Sequence, residues 1–262
     1  MISCEFVDGL AEVVIHTPPV NALTIADAQA LRDLFRTITA GSEAGVVILR
    51  AEGRGFSAGI DYKEIQTPRF QEMLLGSGVA CREAFAAITS CPLPVVAAVH
   101  GYCMGAGIAL VASCDLVVAA DDAHFALPEE AWSIAYLARL VPPMKLRQMA
   151  LTCEQLDAEE LRRFGSVYRV VERGALVQEA RTVAAALRGQ RPGALVATKA
   201  KLNAVDSYQV DRAFWDEQGV AHAARLQAAQ AGQWHRTGNA VIAGRDQSSQ
   251  HSPWSGPPGA IT

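Results

Sequence analysis

Residues 95–119 read VVAAVHGYCMGAGIALVASCDLVVA, an order of strand, glycine turn, apolar helix and strand again. Val95 to Val99 is short, wholly apolar and rich in β-branched side chains, which is the pattern of a strand in a βα unit. Gly101, Gly105 and Gly107 then permit tight turns and close backbone approach. From Ile108 onward the run has no polar side, as expected of a helix sealed inside the protein. Leu116 to Ala119 begins the next strand, so the segment is one turn of a βα repeat.

The repeat extends in both directions. Further strand candidates are Ala11 to Ile15, Val46 to Leu49 and Val167 to Val171. Between the first two, TIADAQALRDLFRTITAG (24–41) places Ala28, Leu31, Leu34, Phe35 and Ile38 on one stripe, with Thr24 as cap and Gly41 as stop. A second amphipathic stretch runs from about Arg69 to Thr89 and is closed by Pro92 and Pro94. Asp157 with Glu160 forms a capping-box pattern before a short helix ended by Gly165, and Ala175 to Leu187 is again helical.

Pro192 marks a break. Beyond it, Leu195 to Asn203 and Tyr208 to Gln230 read as helices, and the Gly-, Pro- and Ser-rich tail from about residue 236 reads as disordered. The expected division is an α/β core over 1–190 and a helical C-terminal region over 191–262.

Composition narrows the function. The 262 residues, half of them apolar and 19% charged, can bury one large core. A net charge of −4 without a concentrated basic face argues against nucleic acid as a partner. No apolar stretch approaches the ~20 residues of a membrane helix. The opening MISCEFVDGL lacks the layout of a secretory leader, so a cytoplasmic location is expected. Six cysteines without a CxxC pair or a histidine at ligand spacing imply reduced thiols and no metal site.

Two glycine-containing loops carry the candidate chemistry: RAEGRGFSAGIDYKEI (50–65) and VHGYCMGAGIALVASCD (99–115). Loops at the carboxyl ends of strands are where open α/β sheets hold ligands. The helix after the second loop would direct free N–H groups at an oxyanion. Taken alone, either loop is also explained as a tight strand-to-helix connection. A dinucleotide loop is disfavoured, because GYCMGAG does not fit GxGxxG and lies far from the first strand.

Four blocks together resemble the crotonase (enoyl-CoA hydratase/isomerase) superfamily over roughly residues 10–205. They are PPVNAL (18–23), ILRAEGRGFSAGIDYKEI (48–65), PVVAAVHGYCMGAGIALVASCDLVVAADDAHFALPE (94–129) and FGSVYRVV (164–171). The resemblance implies a crotonase-like ββα spiral core and a helical C-terminal region that drives trimers or dimers of trimers. It also implies an acyl-CoA thioester as substrate, with no cofactor beyond the CoA it carries. The thioester oxygen would be gripped by the backbone N–H groups of Ile60 and Ala106, flanked by Ala58, Gly59, Gly105 and Gly107. Fixed amides stabilise charge on that oxygen without reorganising.

Hydratases of this superfamily resemble one another in having two glutamates. Here the first position is Ala109, whose methyl group carries no proton, and the second is Glu129 in FALPE. Its apolar neighbours should raise its pKa toward the range useful to a general base, the alternative being a solvated loop carboxylate. Asp61 is a second catalytic candidate, and capping a helix that begins near Tyr62 is its other reading. Lys63 and Arg54 suit CoA phosphates, although loop cations are commonly just solvated.

The stretches 50–66, 121–129, 139–142 and 164–171 resemble bacterial CoA-thioester hydrolases that open a ring of a steroid breakdown product, and that also lack the first glutamate. One departure concerns EAWSIAYLARLVP (130–142), which has no glycine and is shorter than the family's stretch. Trp132 and Tyr136 would reshape the acyl pocket there, or pack as core. Ring-opening hydrolysis, double-bond isomerisation, altered hydration and non-catalytic CoA binding all remain compatible with these residues.

Overall fold

The computed structural model describes residues 1–41, 44–66, 69–127, 134–191 and 193–205. The chain begins with an antiparallel pair, β1 (Ile2–Val7) and β2 (Leu10–Ile15), followed by the two-residue β3 (Ala22–Leu23) and α1 (Ile25–Gly41). Then come β4 (Val46–Ala51), β5 (Gly59–Ile60), α2 (Tyr62–Ile65), α3 (Phe70–Ser90), β6 (Val95–Val99), β7 (Tyr102–Met104) and α4 (Ala106–Ala112). The remainder is β8 (Leu116–Ala120), β9 (His124–Ala126), α5 (Ile134–Leu137), α6 (Pro143–Thr152), β10 (Gln155–Asp157), α7 (Ala158–Arg163), β11 (Arg169–Val171), a 3₁₀ turn (Arg173–Ala175), α8 (Leu176–Arg188) and α9 (193–205).

Six strands form the main sheet in the order β1-β2-β4-β6-β8-β11, parallel except at β1. Short strands make a second layer, β10-β9-β7, and a β3-β5 pair stands beside it. Each long strand thus turns into a short one before its helix: β6 passes through Gly101 into β7 and α4, and β8 passes through Asp121 and Asp122 into β9. This ββα winding is the spiral expected from the sequence.

Strand alternation explains why β6 is apolar throughout. Val95, Ala97 and Val99 join the larger core with α1, α3 and α4, whereas Val96 and Ala98 face a second core completed by Leu176, Ala180, Val183 and Ala184 of α8. Helix α1 buries Ala28, Leu31, Phe35 and Ile38, and packs along α3. Its start is capped by Thr24, whose Oγ1 accepts the Asp27 N–H at 3.0 Å while the Asp27 carboxylate accepts the Thr24 N–H at 3.2 Å.

Several elements depart from the sequence reading. Strand β1 was not among the candidates, because its edge position leaves Phe6 and Val7 exposed and blurs the alternation. Helix α6 was also missed, with only Met149 buried among its residues. The last strand is Arg169–Val171 rather than Val167–Val171, since the Tyr168 N–H donates to Val117 O before the regular pairing begins. Residues 208–230 and the tail from 236 lie outside the described residues.

Candidate active site

The carboxyl ends of β4 and β6 hold the two glycine turns side by side. Phe56 N–H donates to the carbonyls of His100 and Tyr102, Ser57 N–H donates to Tyr102 O, and Met104 N–H donates to Ser57 O at 2.9 Å. Ser57 and Cys103 form an isolated parallel bridge. Buried Ser57 then fixes the next residues, because its Oγ donates to Asn21 O at 2.8 Å and accepts the Gly59 N–H at 3.1 Å.

Asn21 ties this turn to the segment before α1. It sits at φ 52°, a left-handed conformation that asparagine tolerates. Its Nδ2 donates to Glu52 O and Gly55 O at 2.7 and 2.9 Å, and its Oδ1 accepts the Thr17 N–H. Neither Asn21 nor Ser57 stood out in the sequence, although both lie in the family-like blocks. An asparagine at a turn and a serine two residues before a glycine were the available signals.

Gly59 brings the two turns into contact. Its φ is +96°, and a Cβ built on it would stand 3.0 Å from Met104 O and 3.3 Å from Ala106 N. A Cβ on Gly107 would meet Ser57 O at 2.9 Å. Both positions need glycine for close approach, and Gly59 for its conformation as well.

The amide directions follow from the ladder. Asp61 N–H donates to Leu23 O at 2.8 Å, and neighbouring amides of a strand point to opposite sides, so the Ile60 N–H points away from β3. In the second turn, Gly105 is the N-cap of α4 and its N–H donates to Ala126 O at 3.3 Å. Among the described residues the N–H groups of Ala106 and Gly107 have no acceptor. Ile60 and Ala106 are each 6% exposed.

Asp61 caps α2, its Oδ1 accepting the Lys63 N–H at 2.9 Å, and Lys63 itself is exposed. The capping reading of Asp61 is therefore realised. Ala58 is half-buried beside Gly59. Ala109 lies in the buried body of α4. Tyr136 is 4% exposed, with its ring edge-on to Phe85 at 5.2 Å between centroids. Glu129 and Trp132 lie outside the described residues, two and five positions past buried Leu127.

The helix packing leaves a separate cleft of about 320 Å³ between the C-terminal halves of α1 and α3, lined by Arg36, Arg82, Glu83 and Ser90 among others. Those halves lead toward the amino ends of the strands, so the cleft is remote from the paired turns. All six cysteines are free thiols. No group of metal-ligating side chains occurs among the described residues. Nor is any described helix long and apolar enough to cross a membrane.

A ββα spiral with two inert-sided glycine turns converging at its strand ends defines a crotonase-type enzyme. The sequence profile of the family described as enoyl-CoA hydratase/isomerase matches residues 5–232, and the chain belongs to that family, whose members act on acyl-CoA thioesters. It is 40% identical over 216 residues, covering 81% of this chain and 84% of the relative, to the (7aS)-7a-methyl-1,5-dioxo-2,3,5,6,7,7a-hexahydro-1H-indene-carboxyl-CoA hydrolase of Rhodococcus jostii (strain RHA1). It is 39% identical to the hydrolase of the same name from Mycobacterium tuberculosis (strain ATCC 25618 / H37Rv), over 80% of this chain and 87% of the relative. Among solved structures, a probable enoyl-CoA hydratase from Mycobacterium smegmatis superposes with a TM-score of 0.79 at 27% identity, over 87% of this chain and 96% of the other.

Proposed function

We propose that this chain opens a ring by hydrolysing the carbon–carbon bond between a ketone and the α-carbon of a CoA thioester. Water attacks the ketone, the bond to the α-carbon breaks, and its electron pair moves onto the thioester oxygen as an enolate. The N–H groups of Ile60 and Ala106 hold that oxygen. Glu129 takes a proton from the attacking water and returns it to the α-carbon. One water is consumed, the ketone becomes a carboxylic acid, and CoA stays attached.

The observation that supports this reading is a methyl group, Ala109, in α4 directly behind the converging turns. Hydration of a double bond uses an acid and a base, whereas this cleavage recycles one proton through one carboxylate. The names of the two hydrolase relatives point the same way. In this reading Asp61 is a second carboxylate at the rim, Lys63 meets CoA phosphates, and Ala58, Gly59, Gly105 and Gly107 line the thioester. Trp132 and Tyr136 shape the acyl side. CoA enters only as part of the substrate. The enzyme works in the cytoplasm as a homo-oligomer, a trimer or a pair of trimers, built on the region after residue 190.

The test is incubation of the wild type and Glu129→Gln with cyclic β-keto acyl-CoA and 3-enoyl-CoA thioesters, the products separated by liquid chromatography and read by mass spectrometry. The expected product is the cyclic substrate plus one water, with a loss of about 10² or more in Glu129→Gln. Unchanged turnover in that variant would remove Glu129 from the mechanism. A mass-neutral product from the enoyl substrate alone would replace hydrolysis by isomerisation.

A further inference from the structure

Behind the two amide-bearing turns, on the side of β11, Arg173 and Asp122 join them through a single ion pair. Arg173 Nη1 donates to Asp122 Oδ2 at 2.6 Å, and Nη2 donates to Gly53 O at 2.8 Å. Nη1 also reaches Arg54 O at 3.4 Å. Asp122 Oδ1 accepts the Gly101 N–H at 3.2 Å. One guanidinium therefore grips the first turn, and its carboxylate partner grips the second. His100 adds a bond from Nε2 to the same Gly53 O at 3.0 Å.

The turns touch at this point. Gly101 has φ +55°, and a Cβ on it would fall 2.2 Å from Arg54 O. From Arg54 the chain runs on through Ser57 to Ile60, and from Gly101 through β7 to Ala106. A shift at Gly53–Gly101 is thus transmitted along two short, hydrogen-bonded segments to the two N–H groups. Burial works against the charge on Asp122, but the Gly101 N–H and the Arg173 guanidinium outweigh it and hold its carboxyl below the usual range.

Resting on the oxyanion reading above, we infer that Arg173 and Asp122 are positioning residues that set the spacing of the Ile60 and Ala106 amides from outside the pocket. The planar fork of arginine suits this task, since it presents fixed donors to two carbonyls and a carboxylate at once. Stability is not the main yield of the pair. The side chains of Arg173 and Asp122 are 44% and 39% exposed, and ion pairs so exposed contribute little to folding.

The experiment uses a 2,4-dienoyl-CoA, whose conjugated absorption moves to longer wavelength as its carbonyl is polarised. The wild type is expected to shift the band, and Arg173→Met to lose a good part of the shift, with turnover of the ring substrate down about tenfold at unchanged KM and unchanged CoA affinity. Arg173→Lys, which keeps the charge but not the planar fork, should fall between them. Asp122→Asn, which keeps the acceptor for Gly101 but weakens the ion pair, should be non-additive with Arg173→Met. A full shift and full kcat in Arg173→Met would overturn the inference, as would an effect confined to KM and CoA affinity, which would mark Arg173 as a CoA contact. No shift in the wild type would instead overturn the oxyanion reading itself, and the inference with it.

Discussion

Gly59 presses on the peptide nitrogen of Ala106, so closely that a methyl group on Gly59 would stand 3.3 Å from it. Two turns separated by more than forty residues of sequence meet at that contact. Gly59→Ala should cost about 10² to 10³ in turnover, the effect of spoiling one oxyanion donor. Its CoA affinity should stay near that of the wild type, checked by calorimetry beside the kinetic assay. Equal turnover would mean that the contact has no part in the chemistry.

Glu12 is buried on β2, with Arg181 of α8 donating to both its oxygens at 2.5 and 3.0 Å and Arg50 Nε at 3.3 Å. These bonds, Arg181 first, hold its carboxyl below the usual range despite burial. Glu12→Gln should destabilise the fold by about 1–2 kcal/mol at pH 7, because Arg181, itself 41% exposed, loses its counter-charge while Arg50 keeps Glu52 at 3.6 Å. A depressed carboxylate contributes stability above its unfolded pKa of about 4.3 and loses it as pH falls through the lower folded value. The deficit of the variant in urea denaturation should therefore shrink below pH 4.

His100 is 6% exposed, and burial lowers its pKa, against the opposing pull of the Gly53 carbonyl. A histidine held neutral gives its full contribution above the unfolded value of about 6.5, and the folded state loses ground as pH falls from there toward the lower folded value. Wild-type stability should decline as pH falls below about 6.5. His100→Gln, which keeps a donor for Gly53 but cannot titrate, should be flatter across that window.

Lys199 is 5% exposed in α9 and donates to Leu93 O at 2.9 Å and Asp115 Oδ2 at 2.6 Å, while Asn203 Nδ2 donates to Thr89 O. These bonds fasten α9 to the amino end of β6, opposite the glycine turns. Lys199→Met should weaken that docking by about 1–3 kcal/mol. Limited proteolysis should then cut between residues 189 and 205 much faster than in the wild type.

The strands and helices with a buried stripe were legible because burial leaves a periodic mark. Val95 to Val99 is apolar throughout because it has a core on each side, and the stripe read from 24–41 is the buried face of α1 except for Leu34, which is only partly buried. Helix α6 escaped because its side chains are mostly exposed, and β1 because its alternation, with Ile2 and Cys4 packed against the core, runs over only four residues before exposed Phe6 and Val7 break it. At the site, the glycines marked the two loops, and the family resemblance placed the amides on Ile60 and Ala106. The long-range partners did not: nothing in one dimension links Asn21 to Gly55, or Arg173 to Gly53 and Asp122, since each link spans a fold-dependent gap. The resemblance to a family, rather than spacing, supplied the substrate class and the interest of Glu129.

The donors left without acceptors at the start of α4 belong to the main chain. Short of a change to proline, no single-codon substitution deletes them, whereas a binding side chain can be exchanged at will. In the proposed reading, an inhibitor that places an anionic oxygen against those N–H groups would engage a target with few escape routes by mutation, and selection for resistance would have to act on neighbouring side chains or on expression level.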